Sequence, residues 1–472
     1  MMTTKKHDTT HSTTCDTVRG TTCDTVRGTT CDTVRDTTCG TVRGRDAKFC
    51  VSTNPIAEPE LRFPEFHDEW QVKHLGEIAV FYKGKGISKS EASLQGKTPC
   101  VRYGELYTYY NEIITETKSF TNIQTDNLFL SKKNDIIIPS SGETKEDIST
   151  ASCVMKNGIA LGGDINIIRT NNDGIFFAYY LNNAKKYDIA KIAQGISIIH
   201  LYNEQLKNLY VCFPTLPEQR KIALCLSSLD DLIKSVGDKI ELLKQHKKGL
   251  MQKLFPKKDG TICGRGHGRD AKFCVSTNPT IVPELRFPEF SGDWQVKRLG
   301  DVAEIVSEKE NNSIENYVST ENLLPNYGGV VYDAKIPSTN SLTKYKFGDI
   351  LLSNIRPYLK KIWQANVNGT ASNDVVVFRV SNTFDDSFIC FVLKNDRFID
   401  YVMASAKGVK MPRGDKNMML NYAVSFPSLA EQRKIATCLS SIDTAIEDTE
   451  KKLQMLEQHK KGLMQRMFVR RV

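Results

Sequence analysis

Residues 213–255 read FPTLPEQRKIALCLSSLDDLIKSVGDKIELLKQHKKGLMQKLF, and residues 426–468 read FPSLAEQRKIATCLSSIDTAIEDTEKKLQMLEQHKKGLMQRMF. The two stretches are identical at 26 of 43 positions, at an offset of 213 residues. Each opens with a proline-containing turn, at Pro214 and Pro427, as is typical of the residues before a helix. The chain is therefore predicted to contain two copies of one long helix.

Apolar residues in both copies recur at two positions of a seven-residue pattern, which favours helices that pack along a seam. One such position in each copy is a lysine, Lys247 or Lys460. As a helix, the segment from Ile222 to Leu254 would span about 50 Å. A lone helix with this stripe would aggregate, so the other copy is its expected partner. The predicted seam residues are Ile222, Leu226, Leu229, Ile233, Val236, Ile240, Leu243, Leu250, Leu254, Ile435, Leu439, Ile442, Ile446, Leu453, Leu456, Leu463 and Met467.

A second repeated pair precedes these helices. Residues 44–79 return at 268–303 with 27 of 36 positions identical, at an offset of 224. Each member contains PELRFPEF and then a tryptophan, Trp70 or Trp294, which is predicted to pack in a core. A proline-containing extended segment followed by a short strand is typical of the start of a domain.

Between the paired segments lie residues 80–212 and 304–425, which do not resemble each other overall. Both nevertheless show apolar strand patterns followed by polar loops, and then a helical pattern. The sequence therefore predicts two domains with the same flanking segments but different central stretches, and each is expected to be a compact α+β domain. Strands are predicted within 126–142, 160–170, 344–359 and 371–380, and helices within 173–183 and 385–395.

The charge and composition set limits on function. Of the net charge of +9, Glu218–Lys258 contributes +5 and Glu431–Val472 contributes +3. This favours a solvated helix face, nearby phosphates or an acidic partner. No apolar run approaches the length of about 18 residues that spans a bilayer, and the amino terminus lacks a signal-peptide pattern, so a cytoplasmic location is expected.

Four tandem eight-residue repeats fill residues 13–44 and bury too little apolar surface to fold, so residues 1–48 are predicted to be disordered. The 13 cysteines include no C-x-x-C spacing, and no metal site is predicted. The chain contains no phosphate-binding loop and no dinucleotide fingerprint. Asn54–Pro55 and Asn278–Pro279 lack the following Pro and aromatic residue with which a methyltransferase grips a flipped base. The sequence favours a binding or scaffolding protein over an enzyme.

The order PELRFPEF, W-x-V-K-x-L-G, a variable domain, FP-x-L-x-E-Q-x-K-I-A and a long helix occurs twice in residues 59–472. It resembles the DNA-specificity subunit of type I restriction-modification enzymes. The stretches GDILLSNIRPYLKKI (348–362) and IIIPSSGETKEDI (136–148) are similar to parts of that family's target recognition domains. Residues 1–48 depart from the pattern.

The resemblance implies an α+β fold with two target recognition domains, separated by two long helices that pack as an antiparallel coiled coil with a pseudo-twofold repeat. Each domain would read half of a split DNA site, and helix length would set the spacer, since a B-DNA turn is roughly 34 Å. The implied segments are a tail (1–48), target recognition domain 1 (49–212), helix 1 (213–257), a linker (258–280), target recognition domain 2 (281–425) and helix 2 (426–472).

The implied partners are double-stranded DNA, two modification subunits that methylate adenine, and restriction subunits that translocate and cut DNA. This chain would be non-catalytic, within a complex that acts as a site-specific deoxyribonuclease and adenine-N6 DNA methyltransferase. S-adenosylmethionine, ATP and Mg would belong to the partner subunits, and no cofactor is expected in this chain.

Candidate DNA contacts follow from the chemistry of base edges and phosphates: Arg suits guanine, Gln suits adenine, and Ser, Thr and backbone N–H suit phosphate. Glu143 fits only if it accepts from a cytosine amino group. The candidates in the first domain are Ser140, Ser141, Gly142, Glu143, Thr144, Lys145, Gln194, Gly195 and Ser197. Those in the second are Arg356, Tyr358, Lys360, Lys361, Lys407, Gly408, Lys410, Arg413 and Lys416.

Three other interpretations stay open at the level of sequence. A stand-alone repressor or architectural protein would bind DNA tightly by itself. A coiled-coil adaptor would bind proteins and never DNA, and the basic loops of both domains disfavour it. A fused methyltransferase lacks its motif and would require S-adenosylmethionine binding by the purified chain.

Overall fold

The residues described in the computed structural model are 58–256, 282–310, 316–332 and 341–470. They belong to one compact unit, Ile56–Val472. The predicted tail (1–48) and linker (258–280) lie outside the described residues. Within the described part of the chain, no helix combines the length and apolarity needed to cross a membrane, and no group of three or more His, Cys, Asp or Glu side chains is placed to hold a metal ion.

The first domain mixes short helices with small sheets. Its strands are β1 (Gln71–His74), β2 (Ala79–Lys83), β3 (Ala92–Ser93), β4 (Thr98–Val101), β5 (Ile113–Ile114), β6 (Ser119–Thr121), β7 (Asp135–Pro139), β8 (Ser141–Gly142), β9 (Ser152–Val154), β10 (Ala160–Leu161), β11 (Ile165–Thr170), β12 (Ile199–His200) and β13 (Tyr210–Phe213). Its helices are α1 (Leu75–Ile78), α2 (Tyr103–Thr108), α3 (Lys145–Ile148), α4 (Gly174–Asn183), α5 (Lys186–Ile192), α6 (Asn203–Lys207) and α7 (Leu216–Leu254), with a 3-10 turn at Thr125–Asn127.

The main sheet of the first domain has the strand order β2-β11-β7-β9-β5. Strand β7 is buried along its whole length because both faces of its Ile136–Ile138 run are covered, as expected of a central strand. Helix α4 begins at the cap Asp173, whose carboxylate accepts from the Phe176 N–H at 2.8 Å. Its aromatic residues pack on the sheet and on Trp70, which is buried as predicted.

In its described residues, the second domain repeats this plan with fewer strands. Its strands are β14 (Gln295–Arg298), β15 (Ala303–Ile305), β16 (Lys309–Glu310), β17 (Leu342–Tyr345), β18 (Ile350–Ser353), β19 (Ile362–Gln364), β20 (Gly369–Ala371), β21 (Val375–Val380) and β22 (Ala423–Phe426). Its helices are α8 (Asp386–Leu393), α9 (Asp396–Ala404), α10 (Lys416–Leu420) and α11 (Leu429–Arg466), with 3-10 turns at Leu299–Asp301 and Pro357–Leu359.

The two domains share a frame. Its sheet is β2-β11-β7 in the first domain and β15-β21-β18 in the second. The outer ladders β1–β13 and β14–β22 have matching register, with Gln71 opposite Phe213 and Gln295 opposite Phe426. The strands and helices predicted in the two variable stretches are all present. The predicted α+β class with a pseudo-twofold repeat is thereby confirmed.

Repeated residues make repeated contacts at the start of each long helix. In the first copy Arg62 donates two hydrogen bonds to Glu218, at 2.9 and 2.8 Å. In the second copy Arg286 donates two to Glu431, at 2.8 and 2.7 Å. Such charge-assisted pairs are strong and orient both groups, and the bond to Glu218 raises the pKa of Arg62. They explain why PELRF and the E-Q of the helix start occur together in both copies.

Helices α7 and α11 run antiparallel, and three ion pairs between them demonstrate this. Lys244 pairs with Glu450 at 2.9 Å, Lys247 with Asp443 at 2.5 Å, and Lys460 with Asp230 at 2.6 Å. As the residue number rises along one helix, the partner's number falls along the other. The last two pairs are equivalent under the 213-residue offset, so the lysines that interrupt the predicted seam each meet an aspartate of the opposite helix.

At the ends of the helices, predicted seam residues of both helices also belong to the domain cores. At 1.5 Å per residue, a helix of 39 residues is about 58 Å long. All the predicted seam side chains are buried or half-buried. Ile222, Leu226, Leu463 and Met467 pack in the first domain, and Leu250, Leu254, Ile435 and Leu439 in the second.

Candidate DNA interface

Two loops meet at one edge of the first domain. The first loop, 140–145, follows the central strand β7, and we call it the strand-end loop of this domain. The second, 194–200, links α5 to β12, and we call it the hairpin loop. Strand β8 pairs with β12, so that Ile199 lies opposite Gly142 and His200 opposite Ser141. The nine candidate residues of this domain, which form two groups separated by 49 positions in sequence, are therefore brought together.

The second domain has the same arrangement. Its strand-end loop, 354–361, follows β18, and its hairpin loop is 407–413. The two loops meet where Ile355 bridges to Arg413 and where the Arg356 N–H donates to the Pro412 carbonyl at 2.8 Å. The structure thus groups the second domain's candidates at the equivalent edge.

The two hairpin loops have the same backbone. In the first, the N–H groups of Gln194 and His200 each donate to the other's carbonyl, at 2.9 and 2.6 Å. In the second, Lys407 and Arg413 do the same, both at 2.9 Å. Gly195 has φ +125, and a Cβ there would lie 2.0 Å from the Ile198 carbonyl oxygen, so only glycine fits. Each residue of one loop corresponds to the residue 213 positions later in the other.

The strand-end loop of the first domain divides into a buried base and an exposed end. Ser140 is buried, and its Oγ has no hydrogen-bond partner. Ser141 Oγ lies 3.2 Å from His200 Nδ1, and Gly142 is packed against α3. Glu143, Thr144 and Lys145 are exposed. Thr144 already caps α3 by accepting from the Asp147 N–H at 3.1 Å, which explains part of its role without DNA.

Arg356 is one of two candidates of the second domain with a left-handed backbone, the other being Lys360. The φ of Arg356 is +52, in the left-handed region, and its Nε is buried with no partner. Asn354 at the base of the same loop is buried with an unpartnered Oδ1, which parallels Ser140 in the first domain. A buried polar atom without a partner is costly and often marks a site that another molecule completes.

The other residues of this loop differ in how freely they can reach a ligand. Tyr358 is half exposed. Lys360 is bound to Asp396 at 2.5 Å. Lys361 donates to the Thr320 carbonyl at 2.6 Å, and burial lowers its pKa. These two lysines are thus engaged within the protein, whereas the aromatic side chain of Tyr358 faces solvent.

Four cationic residues surround the hairpin loop of the second domain. Lys407 is largely exposed and lies 3.3 Å from Asp415, and Arg413 lies 3.0 Å from Asp374. Lys410 is exposed beside Gly408, which has φ +96. Lys416 is exposed at the first residue of α10. Such surface ion pairs are weak, so these side chains can exchange partners readily.

The first hairpin loop carries little charge. Gln194, Gly195 and Ser197 are all exposed there, so the candidates chosen in both hairpin loops are available to a ligand.

Sequence reasoning missed several residues at this edge. His200 is the counterpart of Arg413, and Asn354 is the counterpart of Ser140. The tips of both hairpin loops also carry exposed apolar residues, which are Ile196, Ile198, Val409 and Met411. A signal was present: Ala193 and Gly195 return as Ala406 and Gly408 at the same 213 offset as the helices, so the second repeat begins before residue 213.

Comparison with known proteins identifies the class. The family model described as the type I restriction modification DNA specificity domain matches residues 67–245 and 291–458. The chain therefore belongs to this family, as the sequence resemblance predicted.

Individual relatives agree with this. The type I restriction enzyme MjaVIII specificity subunit of Methanocaldococcus jannaschii is 26% identical over 431 residues, which cover 86% of this chain and 92% of that protein. The Escherichia coli EcoDI specificity subunit is 22% identical over 295 residues, covering 59% and 64%. The crystal structure of a type I S subunit from M. genitalium has a TM-score of 0.56 at 18% identity, covering 87% and 99%, so the fold is shared.

Proposed function

We propose that this chain is the sequence-specificity subunit of a type I restriction-modification complex and that each domain reads one half of a split DNA site. The observation that carries the proposal is the pair of equivalent loop clusters, one in each domain, separated by two long helices of the same chain. Membership of the specificity family supports it. The chain would recognise the target sequence on DNA, while methylation of adenine, translocation and cleavage would belong to partner subunits with their own cofactors.

The side chains at both edges suit DNA. Arg356 presents donors that match a guanine edge, and Lys407, Lys410, Arg413 and Lys416 match phosphates. In the first domain, Gln194 suits adenine, and Ser141 and Ser197, with Thr144 and Lys145, suit phosphates or bases, whereas Ser140 is buried at the base of its loop. Lys360 and Lys361 are the least favoured contacts, because both are held by the protein.

The helix pair offers matching surfaces for two modification subunits. Leu242 on α7 and Met455 on α11 are 65% and 61% exposed, and they are equivalent under the 213 offset. An exposed apolar side chain at the same place on both helices favours two copies of one protein partner. Leu224 lies 18 residues before Leu242, which is five helical turns, and so extends the α7 surface on the same face.

The test is co-expression with the candidate modification subunit in a host without adenine methylation, followed by single-molecule sequencing of methylated adenines. A split motif with two short half-sites and a fixed gap is expected. A Leu242→Glu, Met455→Glu variant should lose the modification subunit on purification but keep its thermal unfolding midpoint. Lys239→Glu, on the same helix, is the charge control.

Three results would overturn the proposal. If the complex forms but methylates no split motif, the domains do not act as two readers. If the chain alone binds one continuous site tightly, with a negative slope of log affinity against log salt, it is a stand-alone DNA-binding protein. Absence of any salt-dependent DNA binding, alone or in complex, would instead support the adaptor.

A further inference from the structure

The tips of the two hairpin loops carry the same unusual feature. Ile196 and Ile198 are 98% and 57% exposed in the first domain. Val409 is fully exposed and Met411 is 55% exposed in the second. We call each of these two-residue sets a tip pair. A tip of this kind is normally polar, because an exposed apolar side chain gains nothing from the folded state.

The tip pairs are equivalent although their sequences differ. Residue 196 corresponds to 409 and residue 198 to 411 at the 213 offset. The residue between them is free to vary, since it is Ser197 in one loop and Lys410 in the other. An apolar residue therefore occurs at both tip positions in both domains. This recurrence excludes the explanation that a single surface residue happens to be apolar.

The backbone holds the tip pairs outward. The reciprocal hydrogen bonds of Gln194 with His200, and of Lys407 with Arg413, close each loop at its base. A positive-φ glycine, Gly195 or Gly408, comes directly before each pair. The tips thus have no need to fold onto their own domain, and little ordering is required when they meet a partner.

The surroundings of the second tip pair favour DNA over protein as the partner, and the first tip pair is assigned the same partner because its loop is equivalent. Lys407, Lys410 and Arg413 surround the second tip pair, and the strand-end loop with Arg356 adjoins it. Cationic side chains around an apolar tip match a surface that is anionic at its edges and apolar at one point within. The major groove is such a surface, because the C5-methyl of thymine is its apolar group.

The size of Val409 distinguishes two ways of contacting DNA at the second tip, whereas Ile196, Ile198 and Met411 are of residue types that also occur as wedges. A wedge between base pairs requires a side chain long enough to enter the stack. Val409, the most exposed residue of the second tip pair, is short and branched at Cβ. It can cover a methyl group in a groove but cannot reach between stacked bases.

We propose that each tip pair packs against thymine C5-methyl groups in the major groove of its own half-site. This inference rests on the proposed function, because it assumes that the domains read DNA. It adds an apolar component to the polar recognition by the loops, and it assigns Ile196 and Ile198 to one half-site and Val409 and Met411 to the other.

The test uses the complex with its modification subunit, after its split motif has been established from methylated adenines. Each half-site then contains a methylated adenine and hence a thymine opposite it. Duplexes are made with deoxyuridine in place of thymine in one half-site, which removes the methyl groups and leaves every hydrogen-bonding edge unchanged. Binding is measured for the wild type and for the Ile196→Ser, Ile198→Ser variant.

We expect the wild type to bind about fourfold more weakly for each methyl group lost from contact. The Ile196→Ser, Ile198→Ser variant should already be weakened on thymine DNA. Deoxyuridine in the half-site read by the first domain should not weaken the binding of this variant further. Deoxyuridine in the other half-site should weaken its binding by the same factor as for the wild type. Val409→Ser, Met411→Ser should show the mirror-image pattern, and Val409→Thr, which keeps the side-chain shape and so guards against misfolding, should show part of it.

The inference would be overturned if the effects of the substitutions and of deoxyuridine on binding were additive. Deoxyuridine would then weaken the binding of the variant and of the wild type by the same factor in both half-sites. The inference would also be overturned if deoxyuridine in either half-site left the affinity of the wild type unchanged. In either case a split methylation motif would leave the proposed function intact. Absence of any split motif would remove both.

Discussion

The hairpin loops of the two domains have one backbone and two chemistries. Gln194, Ser197 and His200 of the first loop correspond to Lys407, Lys410 and Arg413 of the second. The closing hydrogen bonds and the positive-φ glycine are the same in both. The loop's shape is therefore set by backbone hydrogen bonds and a glycine, and its chemistry by side chains, so that even the residues that close the loop differ between the copies. This separation lets one frame carry unrelated specificities without a change in its own folding.

The largest effect is expected where the frame itself differs between copies. Glu218 accepts from Arg62 and also from the Trp70 indole N–H at 3.3 Å, whereas the indole nitrogen of Trp294 has no partner. Breaking a buried ion pair costs about 3 kcal/mol. Glu218→Gln should therefore lower the free energy of unfolding by about 3 kcal/mol, and Glu431→Gln by less. Chemical denaturation measures both, and equal losses would show that the Trp70 bond contributes nothing.

The next effect tests the strand-end loops. Arg356 stands where the first domain has Gly142, so only the second loop offers a guanidinium at this point. Arg356→Ala should weaken specific binding by about 2 kcal/mol and relax one base of one half-site. Arg356→Lys keeps the charge but loses the fork, so it should relax the same base. Methylation sequencing reads the motif, and an unchanged motif in both variants would exclude Arg356 as a base contact.

A smaller difference is expected at the helix pair. Asp230 binds Lys460 and also accepts a hydrogen bond from the Tyr179 hydroxyl at 2.5 Å. The pKa of Tyr179 is raised, mainly because the side chain is buried and also because of this hydrogen bond. Its equivalent, Asp443, binds Lys247 and is more exposed. Asp230→Asn should cost about 1.5 kcal/mol and Asp443→Asn about 0.5 kcal/mol. Thermal unfolding at low and high salt checks this, and a greater loss at Asp443 would contradict it.

The smallest effect concerns a single charge. Lys410→Ala should reduce the slope of log affinity against log salt by about 1, because one phosphate contact is lost. Ser197→Ala, at the equivalent place in the first loop, should leave the slope unchanged. If the Lys410 variant keeps the full slope while its affinity at one salt concentration falls, this lysine acts through the shape of the loop.

Most of the frame was predictable because its signals are repeats. The heptads predicted α7 and α11, and the variable stretches predicted the central strands β7 and β18 with the polar loops after them. The packing of Leu254 and Met467 into the opposite domains was not predictable, since periodicity gives the apolar face of a helix and not the object that covers it. Supercoiling of the helix pair stays a prediction.

The candidate sites show the same limit. Loop composition pointed to Arg356 and Lys410, but the pairing of strand-end and hairpin loops depends on contacts between residues far apart in sequence. The tip pairs were missed because a single apolar residue in a loop carries no pattern, and its recurrence becomes visible only when the 213 offset is extended back to residues 193–200. Whether the individual candidates touch DNA stays a prediction.

The long helices also bind the two halves of the chain to each other. The end of α7 is buried in the second domain and the end of α11 in the first. Two reciprocal backbone bonds, Leu61 N–H to the Arg466 carbonyl and Leu285 N–H to the Lys253 carbonyl, complete each core, both at 2.9 Å. This is the topology of a domain-swapped dimer whose protomers happen to be covalently joined. A protease cut between residues 256 and 282 should therefore leave two fragments that stay together until both cores unfold.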